Sequence, residues 1–169
     1  MEVTDKIQLN VTLERAVTRD VLRALLHSIL FHRLFGTIER LVTDKVELFW
    51  RALDHASLSP TSTKRGQLVV TFSERRPKKT WFSMGEEEVP WEIWTINAII
   101  HSPQSERERQ AILDPLPETL SGLLLTILNH TSSEKGRSCV PPIVTAGVVS
   151  PFPLRIVVSV AGVEIEDSE

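Results

Sequence analysis

Cysteine occurs once in this 169-residue chain, as Cys139, tyrosine does not occur at all, and there are seven glycines. A single thiol closes no internal disulfide and leaves no second sulfur for a zinc knuckle or a redox pair, so a reducing compartment is the expected setting. None of the glycines falls in a G-x-x-x-x-G-K or G-x-G-x-x-G run, the patterns whose backbone amides cradle phosphates. Long apolar runs are missing too. The most apolar stretch, Leu123 to Leu128, is far short of the ~20 residues that cross a bilayer as a helix. The N-terminus alternates apolar and polar residues instead of setting a basic region before an apolar one, which is unlike a secretory leader and predicts a cytoplasmic protein. Charge of one sign is also scarce: the net charge of -3 supplies no overall field that would gather nucleic acid.

Catalytic patterns are equally thin. The histidines, His27, His32, His55, His101 and His130, include no i, i+4 pair and no H-E-x-x-H, so each is expected to be a hydrogen-bonded or partly exposed residue and not a metal ligand. There is no G-x-S-x-G, and Cys139 lies in a Ser-Cys-Val-Pro-Pro context with no adjacent base to activate it. Glu86, Glu87 and Glu88 are contiguous, which fits a solvated acidic run better than a general acid/base pair. No catalytic, cofactor-binding or metal-ligating set is expected.

What is present is the make-up of a folded domain. Hydrophobic residues form 41% of the chain and charged ones 24%, close to the averages of globular proteins. Val3, Ile7, Leu9, Val11 and Leu13 alternate with polar residues and predict a first strand. From Glu14 the spacing of Val17, Val21, Leu22, Leu25, Leu26, Ile29 and Leu30 predicts a helix of about six turns running toward Gly36. A second helix is expected to start at Thr43 as N-cap, with Val46, Phe49, Trp50 and Leu53 on one face. Ser57 to Gly66 reads as a loop and Gln67 to Ser73 as a strand with Leu68, Val70 and Phe72 facing one way.

Trp91 to Ile100 predicts a central strand, with Trp94, Ile96, Ala98 and Ile100 on one face and Trp91, Ile93 and Ile99 on the other. A short polar helix over Ser105 to Leu113 and a third long helix after Pro117, striped by Leu120, Leu123, Leu124, Ile127 and Leu128, follow. Thr131 to Pro153 reads as mostly irregular. Leu154 to Val160 is a last strand, which Val163 to Ile165 extends or pairs with. Glu166 to Glu169 is an acidic, frayed tail. No repeat or composition break divides the chain, so residues 1–169 form one α+β domain.

Between the strands, Glu74 to Pro90 reads as an irregular, charged excursion with two features. Arg75, Arg76, Lys78 and Lys79 form a basic cluster, either a solvated strand end or a contact for anionic lipid, nucleic acid or an acidic partner. Trp81 and Phe82 belong to no periodic face, so they either fold back as a lid or form an exposed binding hot spot.

Glu88-Val89-Pro90-Trp91-Glu92-Ile93-Trp94-Thr95 resembles the I-P-W-E-V-W-T signature of the autophagy-related protein 101 family. Leu26 to Arg33, Ser105 to Gln110 and Pro151 to Val160 are similar to further blocks of that family. The resemblance implies a HORMA domain, three main helices packed on a β-sheet. It implies a non-catalytic adaptor of the autophagy-initiation kinase complex, without cofactor, at the preautophagosomal structure. The expected partner is the HORMA domain of autophagy-related protein 13, bound as a heterodimer. A Trp-Phe finger recruiting downstream factors falls by position on Trp81 and Phe82, which are adjacent here where animal members read Trp-Pro-Phe. The chain ends at Glu169, sooner after the last strand than in animal members, so the expectation is an open-type conformation with a short C-terminal segment instead of a peptide-clasping belt.

Overall fold

The computed structural model describes residues 4–34, 37–56, 63–80, 83–143 and 151–166. Five strands make one sheet in the order β1-β3-β2-β4-β5, with β1 (Asp5–Glu14), β2 (Thr63–Thr80), β3 (Ser83–His101), β4 (Leu154–Val160) and β5 (Val163–Ile165). Among the described residues only the β1–β3 pairing is parallel. The helices are α1 (Thr18–Phe31), α2 (Glu39–His55), α3 (Glu106–Leu113), α4 (Leu116–Ser132) and α5 (Glu134–Ser138). This is the mixed α+β, HORMA-type arrangement, with α1, α2 and α4 as its three long helices.

Period-two alternation puts Leu9, Val11 and Leu13 of β1, Leu68, Val70 and Phe72 of β2, Trp94, Ile96, Ala98 and Ile100 of β3, and Ile156, Val158 and Val160 of β4 into one core. The stripes of α1 (Leu22, Leu25, Leu26, Ile29) and α2 (Val42, Val46, Phe49, Leu53) complete it. The opposite sheet face mixes Val69, Ile93, Ile99 and Val157 with polar residues. There the Asn97 amide donates to Gln8 Oε1 (2.8 Å) and Asn10 Oδ1 (2.9 Å), and Gln67 donates to Asn97 Oδ1 (2.8 Å), a ladder across three strands.

Helix boundaries differ from the sequence reading. Instead of six turns from Glu14, a 3-10 turn over Arg15–Val17 leads into a 14-residue α1. The helix stops at Phe31, after which Arg33 turns inward to a buried carboxylate described below. Thr43 is not an N-cap. α2 begins at Glu39, one turn earlier, because Val42 extends the buried stripe, and the Thr43 hydroxyl lies beside Glu39 Oε1 within the helix. Trp50 is only half-buried, under the guanidinium groups of Arg15 and Arg19 at 4.6 and 4.8 Å from its ring. Thr63 to Gly66, expected in a loop, are already β2.

Ser105 caps α3 by accepting from Glu108 N–H (3.2 Å). Within the span read as irregular, Ser133 caps the short α5 by accepting from Gly136 N–H (2.9 Å).

Gly66 shows how tightly α2 sits on the sheet: a Cβ there would lie 2.3 Å from Phe49 Cε2, and Phe49 is fully buried. Gly66→Ala should therefore cost about 1–3 kcal/mol through overpacking, read as a lower thermal midpoint; an unchanged midpoint would mean that this packing is looser than described.

Candidate functional site

The excursion expected over Glu74 to Pro90 is a regular hairpin. Beyond the region where β1 and β4 flank them, β2 and β3 continue alone, paired from Ser73↔Pro90 to Thr80↔Ser83. At ~3.4 Å per residue this two-stranded arm extends on the order of 25 Å from the sheet. It is invisible to hydrophobic alternation because its described residues beyond Glu74 are mainly charged and exposed. Trp81 and Phe82, the candidate finger, lie outside the described residues; they are the two residues of sequence between the paired Thr80 and Ser83.

The two charge runs that look unrelated in sequence face each other across the arm. Arg75 pairs in register with Glu88 and Arg76 with Glu87. Arg75 Nε is 3.9 Å from Glu88 Oε1, Lys78 Nζ is 3.3 Å from Glu87 Oε2, and Arg76 binds Glu74. The two exposed cross-strand pairs, Arg75–Glu88 and Lys78–Glu87, contribute a few tenths of a kcal/mol each and help an isolated hairpin that is otherwise marginal. They also decorate its unpaired edges with charge, and Pro77 is tolerated where strands have no outer neighbour.

The Pro-Trp-Glu-Ile-Trp block forms the base of the arm. Register shifts between Phe72 and Ser73, so that Phe72 opposes Glu92 and Ser73 opposes Pro90, leaving Trp91 as the extra residue of a bulge. The bulge overturns the expectation that Trp91 lies on the face opposite Trp94. Its ring packs 5.6 Å from Phe72 and 5.1 Å from Phe152, with the Arg33 guanidinium 5.7 Å from its centroid.

Next to it Glu92, which is 0% exposed, collects donors from four elements. Arg33, after α1, grips it bidentately with Nε to Oε1 at 2.9 Å and Nη2 to Oε2 at 2.6 Å. Trp94 Nε1 donates to Oε1 (2.6 Å), His130 Nε2 at the end of α4 lies 3.0 Å from Oε2, and Cys139 Sγ after α5 is 3.9 Å from it. Gly136 completes the arrangement. A Cβ there would stand 1.9 Å from the His130 carbonyl oxygen, so glycine is what lets α5 cross the end of α4, and its own carbonyl accepts from Arg33 Nη2 (3.1 Å). Burial, followed by the Glu92 charge, pushes the Cys139 thiol pKa up, the reverse of what a nucleophile needs. Burial and the Arg33 charge lower that of His32.

The stripe expected on α4 is only partly covered. Leu116 and Ile127 are buried and Leu120 and Leu123 pack on the core, but Leu124, Leu125 and Leu128 remain 43%, 55% and 49% exposed. Beside them Phe31, at the end of α1, is 76% exposed. Phe31, Leu34, Ile38, Leu124, Ile127 and Leu128 surround one apolar hollow of about 820 Å³. By length and composition alone Glu106–Ser132 would be apolar enough to cross a membrane; here it is two helices, α3 and α4, broken at Asp114 and Pro115. Periodicity found the stripe in the sequence but carried no signal for how much of it lacks a cover.

The model of the family described as autophagy-related protein 101 matches residues 10–40 and 36–147. Among similar proteins, autophagy-related protein 101 of Schizosaccharomyces pombe is 25% identical over 183 residues, covering 95% of this chain and 99% of that protein. Autophagy-related protein 101 of Arabidopsis thaliana is 25% identical over 179 residues, covering 82% and 80% respectively.

Glu92→Gln would leave the buried Arg33 guanidinium without a countercharge, so unfolding in urea should show a loss of about 3–5 kcal/mol; a loss below ~1 kcal/mol would remove Glu92 from its anchoring role.

Proposed function

The chain belongs to the autophagy-related protein 101 family, and from that premise we propose that it is a non-catalytic adaptor whose two docking surfaces are the α1–α4 apolar face and the tip of the β2–β3 arm. The family places it in autophagy. The observation that carries the reading is the uncovered face formed by Phe31, Leu124, Leu125 and Leu128. Contiguous apolar side chains held out on helices mark a site that another protein covers. The occupant proposed for it is the HORMA domain of autophagy-related protein 13, paired 1:1 with this chain in its open-type conformation within the initiation kinase complex. Pairing of this kind stabilises the partner by mass action.

The second surface is the finger, Trp81 and Phe82. In sequence these two residues fall between Thr80 and Ser83, the last paired residues of the arm. Aromatic side chains are the commonest interface hot spots, and downstream autophagy factors are their proposed ligands. The reading as an anionic-lipid or nucleic-acid module is the weaker one, because Arg75, Arg76 and Lys78 already face carboxylates of the same arm.

Co-expression with candidate HORMA partners followed by size-exclusion chromatography tests the first surface: a 1:1 complex is expected. Leu124→Asp with Leu128→Asp should weaken it roughly 1,000-fold, about 2 kcal/mol for each hot-spot position, while the far-ultraviolet circular dichroism stays that of the parent. A complex that survives both charges would move the pairing face elsewhere. For the second surface, Trp81→Ala with Phe82→Ala should leave melting and pairing unchanged and block autophagosome formation in cells; wild-type autophagy, or an unfolded variant, would contradict the finger assignment.

A further inference from the structure

Three side chains that sequence spacing keeps apart meet beneath the arm. Asp5 comes from the start of β1, His130 from the last turn of α4, and Cys139 from just after α5. One ligand atom from each lies within 4.8 Å of the other two. The crossing of α4 and α5 at Gly136 is what returns Cys139 to His130, nine positions on.

Asp5 is the informative member. It is only 5% exposed, and while Oδ1 receives the Lys135 ammonium at 2.6 Å, Oδ2 is buried with no hydrogen-bond partner among the described residues. A desolvated carboxylate oxygen left without a donor is costly, and buried charges are ordinarily paired or bound to metal. Gathered with the Asp5 carboxylate are an imidazole and a thiol, the soft and borderline ligands that zinc selects.

We infer that Asp5, His130 and Cys139 form a binding site for one zinc ion, with the remaining coordination position taken by solvent. Glu92 Oε2, 3.0 Å from His130 Nε2, supplies the outer carboxylate that commonly orients a zinc-bound histidine. A hollow of about 270 Å³ whose lining includes Glu74, Arg76, Trp91 and Cys139 borders the thiol side of the site. On binding, the Cys139 S–H bond breaks, its proton goes to solvent and the sulfur lone pair forms the metal bond, which adds a thiolate charge beside the Asp5 carboxylate that Lys135 already contacts. A thiol must lose its proton to bind metal, so uptake should strengthen as pH rises. The ion would tie β1 to the α4–α5 corner at the base of the arm, and this holds whether or not the docking reading is right.

The test is titration of the chelator-treated full chain with Co²⁺, followed by competition with Zn²⁺. A thiolate-to-cobalt charge-transfer band saturating at one equivalent and displaced by one equivalent of zinc is expected. Cys139→Ser should abolish the band and Asp5→Asn should weaken binding at least tenfold. In the parent chain zinc should also protect Cys139 from alkylation, a readout that needs no variant to fold. Absence of the band in the parent, or zinc that leaves alkylation unchanged, would overturn the assignment. So would a band of full strength in Asp5→Asn, which would show that the orphaned carboxylate oxygen is not a ligand.

Discussion

A carboxylate with no access to water holds this fold together at its most exposed point. Glu92 stands where the sheet stops being covered and the arm begins, and it is fully desolvated. Such a charge survives only if its oxygens are filled, and here they are, by Arg33, Trp94 and His130. Those donors belong to the end of α1, to β3 and to the end of α4, so satisfying one side chain fixes two helix ends against the central strand. An apolar side chain of similar size would fill the space without specifying where the helices end.

Both proposed surfaces depend on that junction. The arm is a two-stranded ribbon with little burial of its own, and it can point in one direction only if its base is rigid. Trp91, thrown inward by the bulge and packed on Phe72 and Phe152, supplies the packing, while Glu92 supplies the directional bonds. The exposed face of α4 is set by the same contacts. Ile127 goes into the core and His130 is held by Glu92, which leaves Leu124, Leu125 and Leu128 turned outward. Residues that look like a family signature in the sequence are thus structural supports for surfaces lying some distance from them.

Legibility followed burial. Strands β1 and β4 and the inner part of β2 and β3 were readable because each buries alternate residues, and the stripes of α1, α2 and α4 were readable for the same reason. The arm was not, since its described residues from Arg75 to Glu88 are charged and mainly exposed and carry no apolar period; the complementary order of its basic and acidic runs was the one available clue. The inward turn of Trp91 depends on a register shift between two strands, which no single stretch of sequence encodes. The early start of α2 was hidden because Thr43 offers a plausible cap that Val42, one position earlier, overrides by being buried. The meeting of Asp5, His130 and Cys139 was equally hidden, being a product of the α4–α5 crossing and not of spacing.

The central claim is that the α1–α4 face takes a folded partner while the arm stays available for a second one. Amide hydrogen exchange of the chain, alone and with a bound HORMA partner, tests it most directly. The account predicts slowed exchange in α4 and the last turn of α1, with the arm over residues 73–90 unchanged. Slowed exchange in the arm with none in α4 would contradict it.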